Sequence, residues 1–399
     1  MPKQTLGRRQ IPIIATGFVI ALGTWLSLRP WDLHAWMIGA PLGHDYVNFW
    51  LASRLVMAGQ AGTLIDLPAY GDAVKAAFGL SYDPHLLFVY PPHVLLFLVP
   101  LVGLPFLPAV FVWTAVNVAA LAWATRRSAE AVDGTLVLVA CLSPPAITMM
   151  LYGHFGGLLA LGATVVLQES GRRPWLAGLC FACLTVKPQF AAALGLILLC
   201  GGFWRCLVAA GIATAALVGV SVAVFGVAVW ERFVTVTMPL QSSFIIAFNA
   251  PMIETSATPY FVARFWGLPA GIAWTIQGCI SVLALAAAIR ALRGDMRSPA
   301  RLLVVLLAVL VMQPYASHYD LAVVAPALTL VVLAGDPRPS RLAVAVWLLV
   351  PLARIFFIFE IPLLCLIVPG ALFTQAARLS RPGRETVPAA ALARLEPAV

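Results

Sequence analysis

The sequence predicts an all-α fold: a polytopic membrane protein of about twelve transmembrane helices, with interfacial helices in its first outer loop. Three observations carry this. Hydrophobic residues make up 62% of the chain and charged residues 10%, with a mean hydropathy of +0.95, so there are too few polar groups to coat a water-facing surface. Apolar windows recur along almost all of the 399 residues, and since a span takes roughly 17 to 25 residues, about 11 to 13 helices fit. The runs are unbroken rather than alternating, which excludes a transmembrane barrel.

The first apolar window covers about 11–28. Lys3, Arg8 and Arg9 precede it without a convincing cleavage site, so it is expected to stay as a span with the N-terminus in the cytoplasm. Residues 29–86 then form the first outer loop, where Asp32, Asp45, Asp66, Asp72 and Asp83 outnumber Arg29, Arg54 and Lys75. Two short amphipathic helices fit there, over about 47–58 and 68–78, with Gly59 and Gly79 as stops. Windows follow at about 92–102, 106–124, 135–150, a run ending at 167, 175–186, 190–203 and 206–229. Residues 230–266 read as a second outer loop, and windows at 268–289, 302–313, 321–334, 342–357 and 361–373 complete the chain. Arg126-Arg127, Gly171-Arg172-Arg173-Pro174, 290–301, 336–341 and 378–384 are basic and are expected on the cytoplasmic side. Residues 1–377 thus read as one transmembrane domain and 378–399 as a flexible cytoplasmic tail. The windows come to an odd number, whereas two cytoplasmic termini need an even number of crossings. One of 92–102, 135–150 and 190–203 is expected not to span.

A net charge of +9 raises nucleic acid as a partner, but the basic residues lie in short clusters between apolar windows and act as topology signals; no nucleic acid is expected. The seven cysteines lie in or at the ends of apolar windows in odd number, which implies no disulfide framework, and Cys180-x-x-Cys183 reads as packing. There is no H-E-x-x-H, no His/Cys set with ligand spacing and no Walker motif, so no metal, cofactor or nucleotide is expected.

Polar chemistry concentrates in residues 43–54, Gly-His-Asp-Tyr-Val-Asn-Phe-Trp-Leu-Ala-Ser-Arg. An Asp, an Arg and a His beside a bilayer point to a site, because charge is costly there. The plainer reading makes Asp45 only the N-cap of the following helix. On the expected topology Lys187, Arg264, His318, Asp320 and Arg354 fall on the same outer side as Asp45 and Arg54. Together they would form an electropositive pocket with carboxylates in it, suited to an anionic phospholipid-like substrate. Individually, Lys187 and Arg354 could snorkel to headgroups and His318 could be a satisfied interfacial histidine.

Several stretches, in order, resemble one known group. They are His44-Asp45-Tyr46, Tyr82-Asp83-Pro84, Tyr90-Pro91-Pro92, Leu104-Pro105 before a Trp113/Asn117 helix, Tyr152-Gly153-His154, Ala177-Gly178, Val186-Lys187-Pro188 and His318-Tyr319-Asp320. The chain resembles glycosyltransferase family 87, within the GT-C class of polyprenyl-phosphate-sugar-dependent enzymes and mannosyltransferase-like. It departs at His154, where the family often has Gln. The resemblance implies a hexosyltransferase in a bacterial inner membrane, moving a sugar, mannose at the family level, from a polyprenyl-phosphate-sugar donor to a glycolipid or glycan acceptor. It implies Asp45 as general base with inversion. Lys187, His318 and Arg354 become candidates for the donor phosphate, and His44, Tyr46, Arg54, Tyr90, His154 and Asp320 for the substrate pocket. Two other readings stay open: a transporter or flippase of a lipid-linked sugar, which should show midplane charges and often inverted repeats, neither of them clear in this chain, and a non-catalytic assembly subunit surrounded by membrane lipids.

Overall fold

The computed structural model describes residues 10–27, 43–78, 88–247, 255–335 and 339–380. Every regular element among them is helical, and the all-α class holds; outside the helices there is an isolated antiparallel bridge between Ser256 and Ser317. The N-terminal basic residues, Asp32, Tyr82-Asp83-Pro84, Gly79 and residues 381–399 of the expected tail lie outside the described residues.

Among the described residues, four helices are long and apolar enough to cross a membrane: Phe106–Arg127, Trp204–Phe225, Ala270–Leu292 and Arg341–Ile358. A fifth results if Gly134–Cys141 and Pro144–Tyr152, bent by 47°, count as one. The other windows appear as shorter apolar helices, among them Gly156–Glu169, Pro174–Leu184, Pro188–Cys200, Pro299–Met312 and Leu363–Leu379. Proline explains several sharp starts. Pro144, Pro174, Pro188 and Pro299 each stand in the first turn of a helix, where the missing N–H costs nothing and the fixed φ is already helical.

Two of the three windows in question are broken, 135–150 by the 47° bend and 92–102 more sharply. Residues 92–102 form a 3-10 turn, a four-residue helix Leu95–Leu98 and another 3-10 turn, too short to cross a bilayer at 1.5 Å per helical residue. By contrast, 190–203 lies largely in one continuous helix, Pro188–Cys200. The stretch expected as a second outer loop is also more ordered than a loop. Val227–Arg232, a π turn at Phe233–Thr237, Met238–Ala247 and Pro259–Phe265 are helical. Side-chain bonds anchor it: the Trp230 indole donates to Ser221 Oγ at 2.8 Å, and the Gln241 amide donates to the Val89 carbonyl at 2.7 Å.

The core centres on Pro299–Met312, whose side chains from 302 to 311 are all fully buried. A helix apolar on every side must be surrounded by other helices, and Ala270–Leu292 and Leu363–Leu379 pack against it. The peripheral helices instead turn large apolar groups outward, including Phe111, Trp123, Val208, Ile212, Val282 and Leu283. A water-soluble fold would bury that surface; in a membrane protein it meets lipid.

Candidate functional site

The first polar stretch folds as a helix, His44–Met57, longer at its start than the sequence predicts. Gly43, in the left-handed region at φ 78°, occupies the N-cap position, and no side chain caps it. Asp45 is therefore not the N-cap. It lies in the first turn, where the positive end of the helix favours a carboxylate, and it is only half-buried. Met57 ends the helix, with Gly59 just beyond at φ 74°, as expected.

Two glycines fix where this helix starts. The Gly43 N–H donates to the Leu151 carbonyl at 2.7 Å. Gly153 has φ 68°, and a Cβ there would stand 2.9 Å from Gly43 Cα and 2.7 Å from Tyr46 Cβ. The two backbones touch, which only glycine allows at that φ. The Trp113 indole N–H donates to the Gly153 carbonyl at 2.9 Å. Asn117 Oδ1 accepts from the Gly157 and Leu158 N–H groups at 3.2 and 3.3 Å, covering free donors at the start of Gly156–Glu169. Tyr46, almost fully buried, packs on Trp113 and Phe106, with ring centroids 5.8 and 6.1 Å away. Its neighbour Asp45 is thus held beside the Tyr152-Gly153-His154 turn. The side chain of His44 lies outside the described residues.

A second corner is built around an ion pair. Lys187, 4% exposed, precedes the Pro188–Cys200 helix, and its ammonium donates to Asp320 Oδ1. Asp320 is 1% exposed, and its Oδ2 accepts from the Ser317 N–H at 2.9 Å, closing a capping box on the 3-10 turn His318–Val323. The ammonium also lies over the rings of Tyr319 and Tyr315, at 5.6 and 6.0 Å. The Ser256–Ser317 bridge and a Cys365 thiol bond to the Ser256 carbonyl at 3.2 Å support the turn from behind.

His154 joins the two corners. Its Nε2 is 3.2 Å from the Tyr90 hydroxyl, its Nδ1 is 3.9 Å from Asp320 Oδ1, and its ring stacks on Tyr319 at 4.3 Å. Burial, then the charge of Lys187, then His318 push its pKa well below the usual value, so the ring is neutral at pH 7. The charge of Asp45 reaches the same place. Burial first and Asp45 next raise the Tyr90 and Tyr319 phenols, while for Tyr315 burial leads, Asp320 follows and Asp45 adds less.

His318, also buried, sets its ring edge-on to Tyr152 at 4.6 Å, and its Nδ1 meets no hydrogen-bond partner among the described residues. Burial, and then the charge of Arg354, push it down to about 3. Arg354 itself is exposed. The structure thus brings Tyr90, His154, Lys187 and Asp320 together by direct contact, with His318 in the same turn as Asp320, and places Asp45 and Arg354 near enough for their charges to act on the tyrosines and on His318. It does not bring Arg54 there. Nine residues further along its helix, about 13 Å by helical rise, that guanidinium lies over Trp50 at 4.8 Å and reaches toward the Val102 carbonyl. Arg264 donates instead to the Leu268 carbonyl at 3.0 Å.

Sequence reasoning missed Tyr315, and named Tyr152 and Tyr319 only within family-like stretches, with no role of their own. The available signal was the spacing of Tyr315, His318, Tyr319 and Asp320, which brings aromatics and ionisable groups into a single turn.

The family model of glycosyltransferase family 87 matches residues 88–314, more than half of the chain. Tyr90, His154 and Lys187 fall inside it; Asp45, His318, Asp320 and Arg354 fall outside. No curated protein and no solved structure matches.

Proposed function

Because the chain belongs to glycosyltransferase family 87, we propose that it moves a hexose, with mannose the first candidate, from a polyprenyl-phosphate-sugar to a glycolipid or glycan acceptor. The reaction takes place on the outer face of a bacterial inner membrane, with both chain termini cytoplasmic. Asp45 acts as general base. Its carboxylate takes the proton of the acceptor hydroxyl as that oxygen forms a bond to the anomeric carbon. The bond from that carbon to the phosphate oxygen breaks, its electron pair leaves with the polyprenyl phosphate, and attack from the opposite face inverts the anomeric centre.

The observation that carries this reading is the contrast between the pocket's two carboxylates. Asp320 is buried with both oxygens engaged. Asp45 is half-exposed at the positive end of a helix, with Tyr90, Tyr315 and Tyr319 within reach of its charge. Of the two, Asp45 alone combines access to an acceptor with a place in the first turn of a helix, at its positive end. On the phosphate side, Arg354 offers an exposed guanidinium suited to bidentate contact. His318 offers a buried ring nitrogen with no hydrogen-bond partner among the described residues, and Tyr90 and His154, in contact with each other, stand close by.

The test is sugar transfer in membranes with radiolabelled polyprenyl-phosphate mannose and a mixed glycolipid acceptor pool, comparing wild type with Asp45→Asn at matched expression. The reading expects product from wild type and almost none from the variant. Equal product from both would remove Asp45 as the base, and no product from wild type would remove the mannose donor.

A further inference from the structure

We propose that Asp320 is a positioning residue, and that Lys187 serves as its buried partner rather than as a ligand of the donor phosphate. The pair locks the Tyr315–Asp320 turn onto the start of the Pro188–Cys200 helix and so sets the angle at which His318 and Tyr319 face the pocket. This deepens the transferase reading and rests on it where the phosphate is concerned.

Both partners are buried, and the ammonium is enclosed by one carboxylate and two phenol rings. To reach Lys187 a phosphate would have to separate it from Asp320 and leave that carboxylate buried without a counter-charge, which costs more than the new contact returns. The backbone around Lys187 is equally committed. Its N–H donates to the Leu184 carbonyl at 3.0 Å, and its carbonyl accepts from Phe190 and Ala191 at 3.0 and 3.1 Å. On the other side, Asp320 holds Ser317 through its second oxygen, and Ser317 is bridged to Ser256. The turn therefore has one rigid end at Ser256 and one at Lys187. Between them stand Tyr319, stacked on His154, and His318, edge-on to Tyr152. Arg354, exposed and near His318, needs no bond broken at this pair to meet a phosphate.

The experiment compares wild type, Lys187→Met, Asp320→Asn, the double variant Lys187→Met/Asp320→Asn, Asp320→Glu and Arg354→Gln, purified in detergent. Unfolding temperature, binding of undecaprenyl phosphate against undecaprenol by tryptophan quenching, and transfer kinetics are read. Each single neutral variant leaves one buried charge and should lower the unfolding temperature, and the double should recover most of that loss. The double should bind undecaprenyl phosphate within about threefold of wild type while Arg354→Gln loses about tenfold or more. Asp320→Glu keeps the charge but displaces the turn by one methylene; it should lower kcat by about tenfold with donor KM within about threefold, a split that a merely structural residue would not give.

Additive losses of unfolding temperature, a double variant that binds phosphate as poorly as Arg354→Gln, or wild-type kcat in Asp320→Glu would each overturn the proposal. If wild type does not distinguish undecaprenyl phosphate from undecaprenol, the donor reading fails, while the unfolding temperatures still decide the pair.

Discussion

Two carboxylates share this pocket and differ in almost every respect. Asp45 sits at the start of a helix whose first residue is fixed by contact between Gly43 and Gly153, half-exposed and with its charge felt by three phenols. Asp320 sits in a 3-10 turn, buried, with one oxygen on a lysine and the other on its own backbone. The difference teaches that burial and position, not residue type, separate a group that an acceptor can reach from one that holds structure. A sealed carboxylate stabilises its turn; a half-exposed one near a helix start can meet a substrate.

The comparison can be tested at each end. The largest effect is expected from Asp45→Asn, which should cut transfer by about 10²- to 10⁴-fold, the usual contribution of a general base, with the unfolding temperature unchanged. A variant that unfolds early would mean Asp45 is structural too. Asp320→Ala should do the reverse and destabilise the fold by about 3–5 kcal/mol, because it strands a buried ammonium; thermal unfolding in detergent reads this, and an unchanged midpoint would erase the distinction. Gly153→Val attacks the contact that sets Asp45 in place. A Cβ 2.7 Å from that of Tyr46 at φ 68° should cost about 1–3 kcal/mol, and turnover should fall in whatever fraction folds.

The smallest effect is a pH dependence. His318 binds a proton near its ordinary value when unfolded but only near about 3 when folded, so between those values the unfolded chain holds more protons. Its contribution is full above about pH 6.5 and is lost as pH falls. The unfolding temperature should drop from pH 7 to pH 5, and less steeply in His318→Gln; equal slopes in both proteins would leave His318 out of it.

The sequence made part of this site legible. Counting apolar windows between basic clusters singled out the polar stretch around Asp45 and the set Lys187, Arg264, His318, Asp320 and Arg354, of which Lys187 and Asp320 meet in the structure. Hydropathy is a local property, and each window needs only its own residues. Arg54 was misleading because it shares Asp45's stretch, yet helical rise carries it away along the same helix. The Lys187–Asp320 pair was invisible as a pair: its members are 133 residues apart, and nothing in either neighbourhood names the other. The window at 92–102 was one of three that composition alone could not separate; its prolines at 92 and 100 favour short turns over one helix.

By itself, then, the amino-acid sequence determined that this protein is helical and bound for a membrane. Burying 62% hydrophobic residues without water requires backbone bonds closed within each segment, and helices do that one window at a time. Only the tertiary structure decided which carboxylate is sealed and which is open. That depends on where two glycine backbones meet and which lysine a distant turn encloses, and such contacts exist only once the helices have packed.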